Sequence, residues 1–284
     1  MTKERHRFPI CPIPAAHNKH VPNPSPLRYP GGKTWLIPHA RAWLGSPPRT
    51  RTLVEPFAGG ATISLLALAE NLADRAVLAE IDPGIAHFWR TLLSRPRTLA
   101  EAVRNIGTNV PEPPDSAAQH DAGIARAVQT LTENRTRFNG ILNSRAGRTK
   151  DSERLYPQTI ARRILSAGEL AHRIQLLEGD GLALLEAAGH DPGARVFIDP
   201  PYGAPKTQSS GSRLYRRHDV QPPQVFQALS RSDGDFLMTY ADDEEIADLV
   251  REHGFHAETV PLNLSGRPRS ELAISRRAVF GATP

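Results

Sequence analysis

The sequence predicts an α/β fold: a Rossmann-like sheet with an antiparallel hairpin at one edge, plus a mainly helical insert. Three observations carry that expectation. First, Arg51-Thr-Leu-Val-Glu55 reads as a strand, and Pro56-Phe-Ala-Gly-Gly60 follows as a tight loop. Ala61 to Leu72 then sets Ile63, Leu66 and Ala67 on one helical face, and Arg75 to Glu80 reads as a second strand ending in an acid. Strand, glycine loop, helix, strand, acid is the order of a nucleotide-binding unit. Second, strand patterns recur at Arg173 to Glu178, Arg195 to Asp199, Asp235 to Tyr240, Ala257 to Leu262 and Glu271 to Ser275, and the short connections at the end suit an antiparallel edge hairpin. Third, strand signals vanish between residues 96 and 171, where Ala, Arg and helical spacing dominate.

In chain order, residues 1–25 are proline-rich and aperiodic, and read as a flexible arm. Residues 26–95 and 172–284 read as one α/β domain, interrupted by the helical insert at 96–171. Pro83 opens a helix that runs through Trp89 to Leu93. Pro111-Glu-Pro-Pro114 breaks the insert. Asp242 and Asp243 precede a helix that ends near Glu252, and read as its N-caps.

Composition narrows the function classes. Of 284 residues, 39% are hydrophobic and 23% charged, as in a globular chain that buries a core. No apolar run approaches the ~20 residues of a membrane helix, and no apolar leader opens the chain, so no membrane partner and a cytoplasmic location are expected. The one cysteine, Cys11, excludes an internal disulfide. Cys11, His17 and His20 offer three ligands in a proline-rich stretch, and no metal is expected from them. Net charge is +5, with 30 of the 35 basic residues arginine. Between Arg126 and Arg173 ten Lys/Arg stand against four Asp/Glu, and Lys206 to Arg217 holds four basic residues and no acid. Clustered arginine suits phosphates and base edges, so a nucleic-acid partner is favoured over a merely solvated surface.

The motif richest in chemistry is Asp199-Pro200-Pro201-Tyr202, directly after the apolar run Val196-Phe197-Ile198. Ligands of open α/β sheets bind at such strand ends. The prolines stiffen the turn, and the Asp199 carboxylate with a proline carbonyl offers two acceptors to an exocyclic amine. Tyr202 adds a ring on which a flat base can stack. An ordinary strand-to-loop turn is the competing reading. The loop Glu55 to Gly60 permits close backbone approach, with Phe57 and Gly59 at its centre. Glu80, roughly 20 residues beyond the glycines, suits two ribose hydroxyls, or else is a surface acid beside Arg75 or Arg90. Pro30-Gly31-Gly32-Lys33-Thr34 resembles half a phosphate loop, but Leu27 stands where the first glycine is required and no strand precedes it. It reads instead as a turn bringing Tyr29 and Lys33 to a cofactor pocket, or as a purely structural turn. Asp180 is either an adenine-amino contact or an Asx-turn acid. Arg137, Phe138, Asn139, Ile141, Asn143 and Arg145 mix amides, arginines and apolar wedges within the basic insert. They can read base edges or part a base step, or else belong to a helix–loop–helix with polar caps.

Together these motifs resemble the Dam-type DNA adenine-N6 methyltransferases from about Leu27 to Arg276. Arg28-Tyr-Pro-Gly-Gly-Lys33 resembles the opening motif of that family, with Tyr29 at a position usually held by tryptophan. Glu55 to Gly60 is similar to its cofactor loop, and Ala79-Glu-Ile-Asp82 to its ribose-acid segment. Asn134-Arg-Thr-Arg-Phe-Asn-Gly140 resembles the segment that enters DNA, and Asp199 to Tyr202 the catalytic motif. Leu214-Tyr215, Thr239 to Asp242 and Glu271 to Ser275 resemble later blocks. Asn143 replaces a base-contacting arginine of Dam itself, so recognition of GATC is not implied.

The resemblance implies a Rossmann-like methyltransferase sheet with a helical target-recognition insert and S-adenosyl-L-methionine as cofactor. Tyr29, Gly31, Gly32, Lys33, Glu55, Phe57, Gly59, Glu80, Asp180 and Asp199 would line the cofactor pocket. Asp199, Pro200, Pro201 and Tyr202 would be catalytic. Arg137, Phe138, Asn139, Ile141, Asn143 and Arg145 would meet double-stranded DNA. A monomer is expected, with a cognate restriction endonuclease as a candidate companion. The rivals are a catalytically silent DNA-binding protein of the same fold, a cytosine-N4 enzyme, against which Asp199 argues, and an RNA methyltransferase.

Overall fold

A computed structural model describes residues 7–11, 23–29, 33–106, 118–136, 155–200, 220–264 and 267–279. Its strands are β1 (Thr50–Glu55), β2 (Ala73–Glu80), β3 (Ile174–Glu178), β4 (Ala194–Ile198), β5 (Asp235–Ala241), β6 (His256–Leu264) and β7 (Arg267–Ser275). They form one sheet in the order β3-β2-β1-β4-β5-β7-β6. The pairs β1–β2, β2–β3, β1–β4 and β4–β5 are parallel, whereas β7 is antiparallel to both β5 and β6. The expected hairpin is therefore present, with its second strand inserted between β5 and β6.

Alternation along the strands assigns the two faces. Leu53, Phe197, Leu237 and Ala273 pack with Leu36, Ile37 and Trp43 around α1 (Ile37–Gly45) and α2 (Thr62–Ala69). Val54, Val196, Ile198, Phe236 and Met238 face the other way, onto α7 (Gly181–Ala188), α8 (Pro222–Ser230) and α9 (Glu244–Glu252). Each fully buried Leu, Ile or Phe in these layers is worth roughly 1.5–3 kcal/mol relative to exposure. The helices of the 96–171 region, α4 (Pro96–Arg104), α5 (Ala118–Thr136) and α6 (Pro157–Glu169), share one apolar cluster with α3 (Pro83–Ser94) and β2. Among the described residues no helix is long and apolar enough to cross a membrane.

Helix starts follow from local chemistry. Asp82 accepts from the N–H groups of Gly84 (2.8 Å) and Ile85 (3.1 Å), and Pro83 begins α3. Asp180 caps α7 through the Leu182 N–H at 2.9 Å, which is the Asx-type role. Asp243 caps α9 through the Ile246 N–H at 3.0 Å. Asp242, expected to be a cap too, instead accepts from the Ser270 hydroxyl (2.9 Å) and pairs with Arg7 (3.2 Å). Those contacts tie the α9 entry to β7 and to the N-terminal segment.

One further expectation changes, and one alternative reading is excluded. Residues 7–11, assigned to a flexible arm, lie along the open edge of β6. The Cys11 N–H donates to the Thr259 carbonyl (2.8 Å) and the Thr259 N–H to the Pro9 carbonyl (2.7 Å). A bare sheet edge offers unpaired donors and acceptors, and this segment takes them. Cys11 is buried there, while His17 and His20 lie outside the described residues. Glu80 is no surface acid: it is buried, Arg90 pairs with Glu178, and Arg75 donates to the Thr52 hydroxyl.

Gly181 marks where α7 meets the loop after β1. A Cβ at this position would stand 2.0 Å from the Pro56 carbonyl oxygen. Gly181→Ala should therefore destabilise the fold by about 1–3 kcal/mol or more, as overpacking does, measured by urea unfolding with an unchanged m-value.

Candidate active site

The chain runs β1 to β2 to β3 towards one side, then crosses back to place β4 and β5 on the other side of β1. The reversal lies between β1 and β4, and open α/β sheets bind ligands at the carboxyl ends of the strands beside such a reversal. Glu55 ends β1, Glu80 ends β2 and Asp199 follows β4, so one edge gathers three acids from distant parts of the chain.

Each acid is held differently. Glu55 is buried, with Oε2 accepting from the Ser64 hydroxyl and N–H (3.2 Å), so its carboxyl staples the start of α2. Burial pushes it up to about 8, against the Ser64 donors and with a further push from Asp199. Glu80 spans a loop: Oε2 accepts from the Gly59 N–H (3.0 Å) and Oε1 from the Asp82 N–H (2.8 Å). Burial outweighs those donors and pushes Glu80 up to about 7. Asp199 is partly exposed, and its Oδ1 takes the Lys33 ammonium at 3.0 Å and the Thr239 hydroxyl at 3.0 Å.

Lys33 reaches Asp199 from the 3₁₀ turn Lys33–Leu36 that leads into α1. Its side chain is 6% exposed and also lies 3.2 Å from Glu271 on β7. Burial alone would lower its pKa, but Asp199 and Glu271 outweigh that and hold the ammonium above the ordinary lysine value. The ammonium of Lys33, a residue expected at the cofactor pocket, lies on the Asp199 carboxylate. Thr239, Glu271 and this pairing were missed by reading motifs singly, although Thr239 and Glu271 open two of the later blocks noted above. Only pairing of Ala241 with Glu271 in the β5–β7 ladder brings them to one place.

The glycine loop is built tightly. Gly59 has φ +46°, and a Cβ there would meet the Tyr29 ring at 3.0 Å. The Ala58 N–H donates to the Ala79 carbonyl (2.9 Å) and the Trp89 indole N–H to the Gly59 carbonyl (2.8 Å), so β2 and α3 fix the turn. Phe57 is partly buried against the α7–α9 face. Beside Glu80, Ile81 leaves an apolar side chain 39% exposed, a surface that a flat ring can cover.

Asn134 and Arg135, expected in the segment that enters DNA, are buried at the end of α5. Asn134 accepts from the Arg28 N–H (2.7 Å) and donates to the Arg28 carbonyl (2.8 Å). Burial lowers Arg135 to about 10, helped by Arg163 and Arg28 nearby. Gly31, Gly32, Pro201, Tyr202, Arg137, Phe138, Asn139, Ile141, Asn143 and Arg145 lie outside the described residues.

The model of the D12 class N6 adenine-specific DNA methyltransferases matches residues 29–261. The chain belongs to that family. No curated protein sequence matches it significantly. Among solved structures it is similar to an rRNA methyltransferase of Streptomyces viridochromogenes, at 16% identity and TM-score 0.42 over 90% of this chain and 89% of that one. It is also similar to a putative RNA methyltransferase of Pyrococcus horikoshii, at 13% identity and TM-score 0.41 over 89% and 87%. A tRNA methyltransferase of B. subtilis aligns at 10% identity and TM-score 0.36 over 84% of this chain, which spans 65% of that protein's length.

As a D12-class methyltransferase, the chain uses S-adenosylmethionine as methyl donor. The residues present fit it. Glu80 stands at the end of β2 with an open apolar neighbour, and a positive-φ glycine turn faces it. Oxygens that already accept backbone N–H groups keep lone pairs for hydroxyls.

The ionised Glu80 is the stronger acceptor. Cofactor binding, followed by calorimetry, should tighten as pH rises through about 7, and Glu80→Gln should flatten that dependence. That variant should bind about 1.5–3 kcal/mol more weakly at high pH. The sign for the cofactor-free fold is opposite. A carboxyl raised from 4.5 to about 7 keeps its proton longer when folded, so its contribution to stability is present below 4.5 and lost as pH rises through about 7.

Proposed function

We propose that the protein methylates N6 of an adenine everted from double-stranded DNA at a specific sequence, with Asp199 gripping the amine. One observation carries the reading: Asp199 stands at the carboxyl end of β4, beside the β1–β4 reversal, with Oδ1 fixed by Lys33 and Thr239. When bound, S-adenosylmethionine supplies an electrophilic methyl group on a sulfonium, so the protein need only present and polarise the nucleophile.

That nucleophile is poor, because the amine lone pair is delocalised into the purine ring. Asp199 and the carbonyl of Pro200 or Pro201 accept its two N–H groups. Such acceptors favour a pyramidal nitrogen and strengthen as positive charge develops there. Asp199 acts as an acceptor rather than a full base, since the amine sheds a proton more readily once methylated. Tyr202 stacks on the everted base, which offsets part of the few kcal/mol that eversion costs. Glu80 takes the ribose hydroxyls, Tyr29, Gly31 and Gly32 contribute to the cofactor site, and Asp180 and Phe57 border it. Lys33 and Glu55 serve the pocket indirectly, through Asp199 and α2.

Arg137, Phe138, Asn139, Ile141, Asn143 and Arg145 read the site or wedge the step beside it. Support comes from the positive charge at the end of α5, where Arg163 and Arg28 both repel the buried Arg135 guanidinium. A phosphate backbone relieves that repulsion.

Asp199→Ala should lower single-turnover methyl transfer by roughly 10²–10³-fold or more while cofactor binding stays measurable. A near wild-type rate removes Asp199 from the chemistry. Replacing Arg137 or Arg145 with Ala should each reduce the salt slope of DNA binding by about one. Incubation with labelled donor and unmethylated genomic DNA, followed by single-molecule sequencing, should reveal modified adenines at one sequence. Modified cytosines would refute the base assignment.

A further inference from the structure

A second hollow lies at the opposite end of the parallel strands from Glu55, Glu80 and Asp199. It is an open cleft of about 490 Å³ at the starts of β1, β2 and β3, walled by Arg51, Arg75, His172 and Arg173. Arg75 precedes Glu80 by five positions on β2, which at about 3.3 Å per residue separates them by roughly 17 Å. Among the described residues no Leu, Ile, Val, Phe, Tyr or Trp lines the cleft, so an apolar ligand has nothing to pack against.

The arginines here are answered mostly by neutral oxygens. Arg173 donates to the carbonyls of Leu68 (2.9 Å), Ala73 (2.6 Å) and Asp74 (2.8 Å) and to the Asn71 side-chain oxygen (3.3 Å). Those bonds pin the guanidinium and cancel none of its charge. Arg75 Nε donates to the Thr52 hydroxyl at 2.8 Å. That bond orients the fork and leaves its two terminal nitrogens without a protein partner among the described residues. Arg51 lies 3.7 Å from Asp191, beyond hydrogen-bond reach. The two carboxylates nearby are already engaged: Asp74 takes Arg49 at 2.7 Å, and Asp191 accepts the Gly193 N–H at 2.8 Å. Arginine is thus in excess over acid, and two of the forks are open to a ligand.

We propose that this cleft is a phosphate-recognising site, separate from the candidate active site, in which Arg51 and Arg75 grip the oxyanion and Arg173 supplies fixed charge beside it. Planar guanidinium forks match phosphate oxygens in pairs. The volume suits a small phosphate ester such as a nucleoside diphosphate. The backbone of a duplex long enough to reach this end of the sheet offers the same chemistry. Neither source depends on the role given to Asp199.

The test is calorimetry on the full chain at low ionic strength, with ADP and inorganic pyrophosphate as probes. Saturating S-adenosylmethionine keeps the adenine of ADP out of the cofactor site. Both probes should bind, and Arg51→Ala and Arg75→Ala should each weaken them roughly tenfold or more. Arg75→Lys should recover only part of the loss, since it restores the charge without the fork. Duplex length separates the two sources. If the cleft takes backbone phosphate, the alanine variants weaken a long duplex far more than one that just covers the active site. If it takes a free ester, both duplexes bind as to the wild type. Absence of probe binding together with unchanged binding of both duplexes overturns the proposal. So does probe binding that both alanine variants retain in full, which would mark it as non-specific attraction. Unfolding midpoints in urea check that the variants fold, and if Arg75→Ala does not, the largely exposed Arg51→Ala decides alone.

Discussion

Everything at the candidate site depends on where three parallel strands end. β2, β1 and β4 are neighbours in register, and the chain reverses its winding between β1 and β4. The acids at their tips are thereby brought to one edge and out of bulk water. Burying three carboxyls together is unfavourable unless each is answered. The answers differ in kind: a serine and retained protonation for Glu55, two backbone N–H groups for Glu80, an ammonium and a hydroxyl for Asp199. Those differences separate the roles. Of the three, Asp199 is the one that is partly exposed, as the proposed role of gripping a substrate amine requires.

The reversed strand completes this edge. In a wholly parallel sheet the start of every strand lies at the far side from the site. β7 runs the other way, so Ser270 and Glu271 arrive at the near side, with Thr239 two residues before Ala241, the partner of Glu271. The 3₁₀ turn at Lys33 comes from the opposite end of the chain. A cluster spanning residues 33 to 271 forms only in the finished sheet, so its geometry reports on global folding and no single segment can preorganise it.

This explains what sequence could and could not reveal. The strand–glycine loop–strand–acid order depends on neighbours in sequence, and β1, α2, β2 and Glu80 were placed from it. The run Val196-Phe197-Ile198 ends at Asp199 as its apolar pattern predicts, because a strand buried on both faces must be continuously apolar. Helix caps at Asp82 and Asp243 are equally local. That Lys33 meets Asp199 was not legible, because the carboxylate lies 166 positions away in sequence. Nothing near Asn134 and Arg135 in sequence announces that Arg28 is their neighbour. The docking of residues 7–11 on β6 was invisible because edge pairing uses backbone groups that every sequence possesses.

The buried Asn134 also bears on how recognition is joined to chemistry. Its side chain clamps both polar groups of the Arg28 backbone, at 2.7 and 2.8 Å. The next residue, Tyr29, lies over Gly59, whose N–H is held by Glu80. A short chain of contacts therefore runs from the end of α5, where the proposed reading segment begins, to the glycine loop. Asparagine suits this position because it donates and accepts at once, whereas Asp or Leu would leave a buried backbone group unanswered. Two hydrogen bonds and a packed ring thus fix the end of α5 relative to the glycine loop, which is the rigidity that the proposed reading asks of this connection.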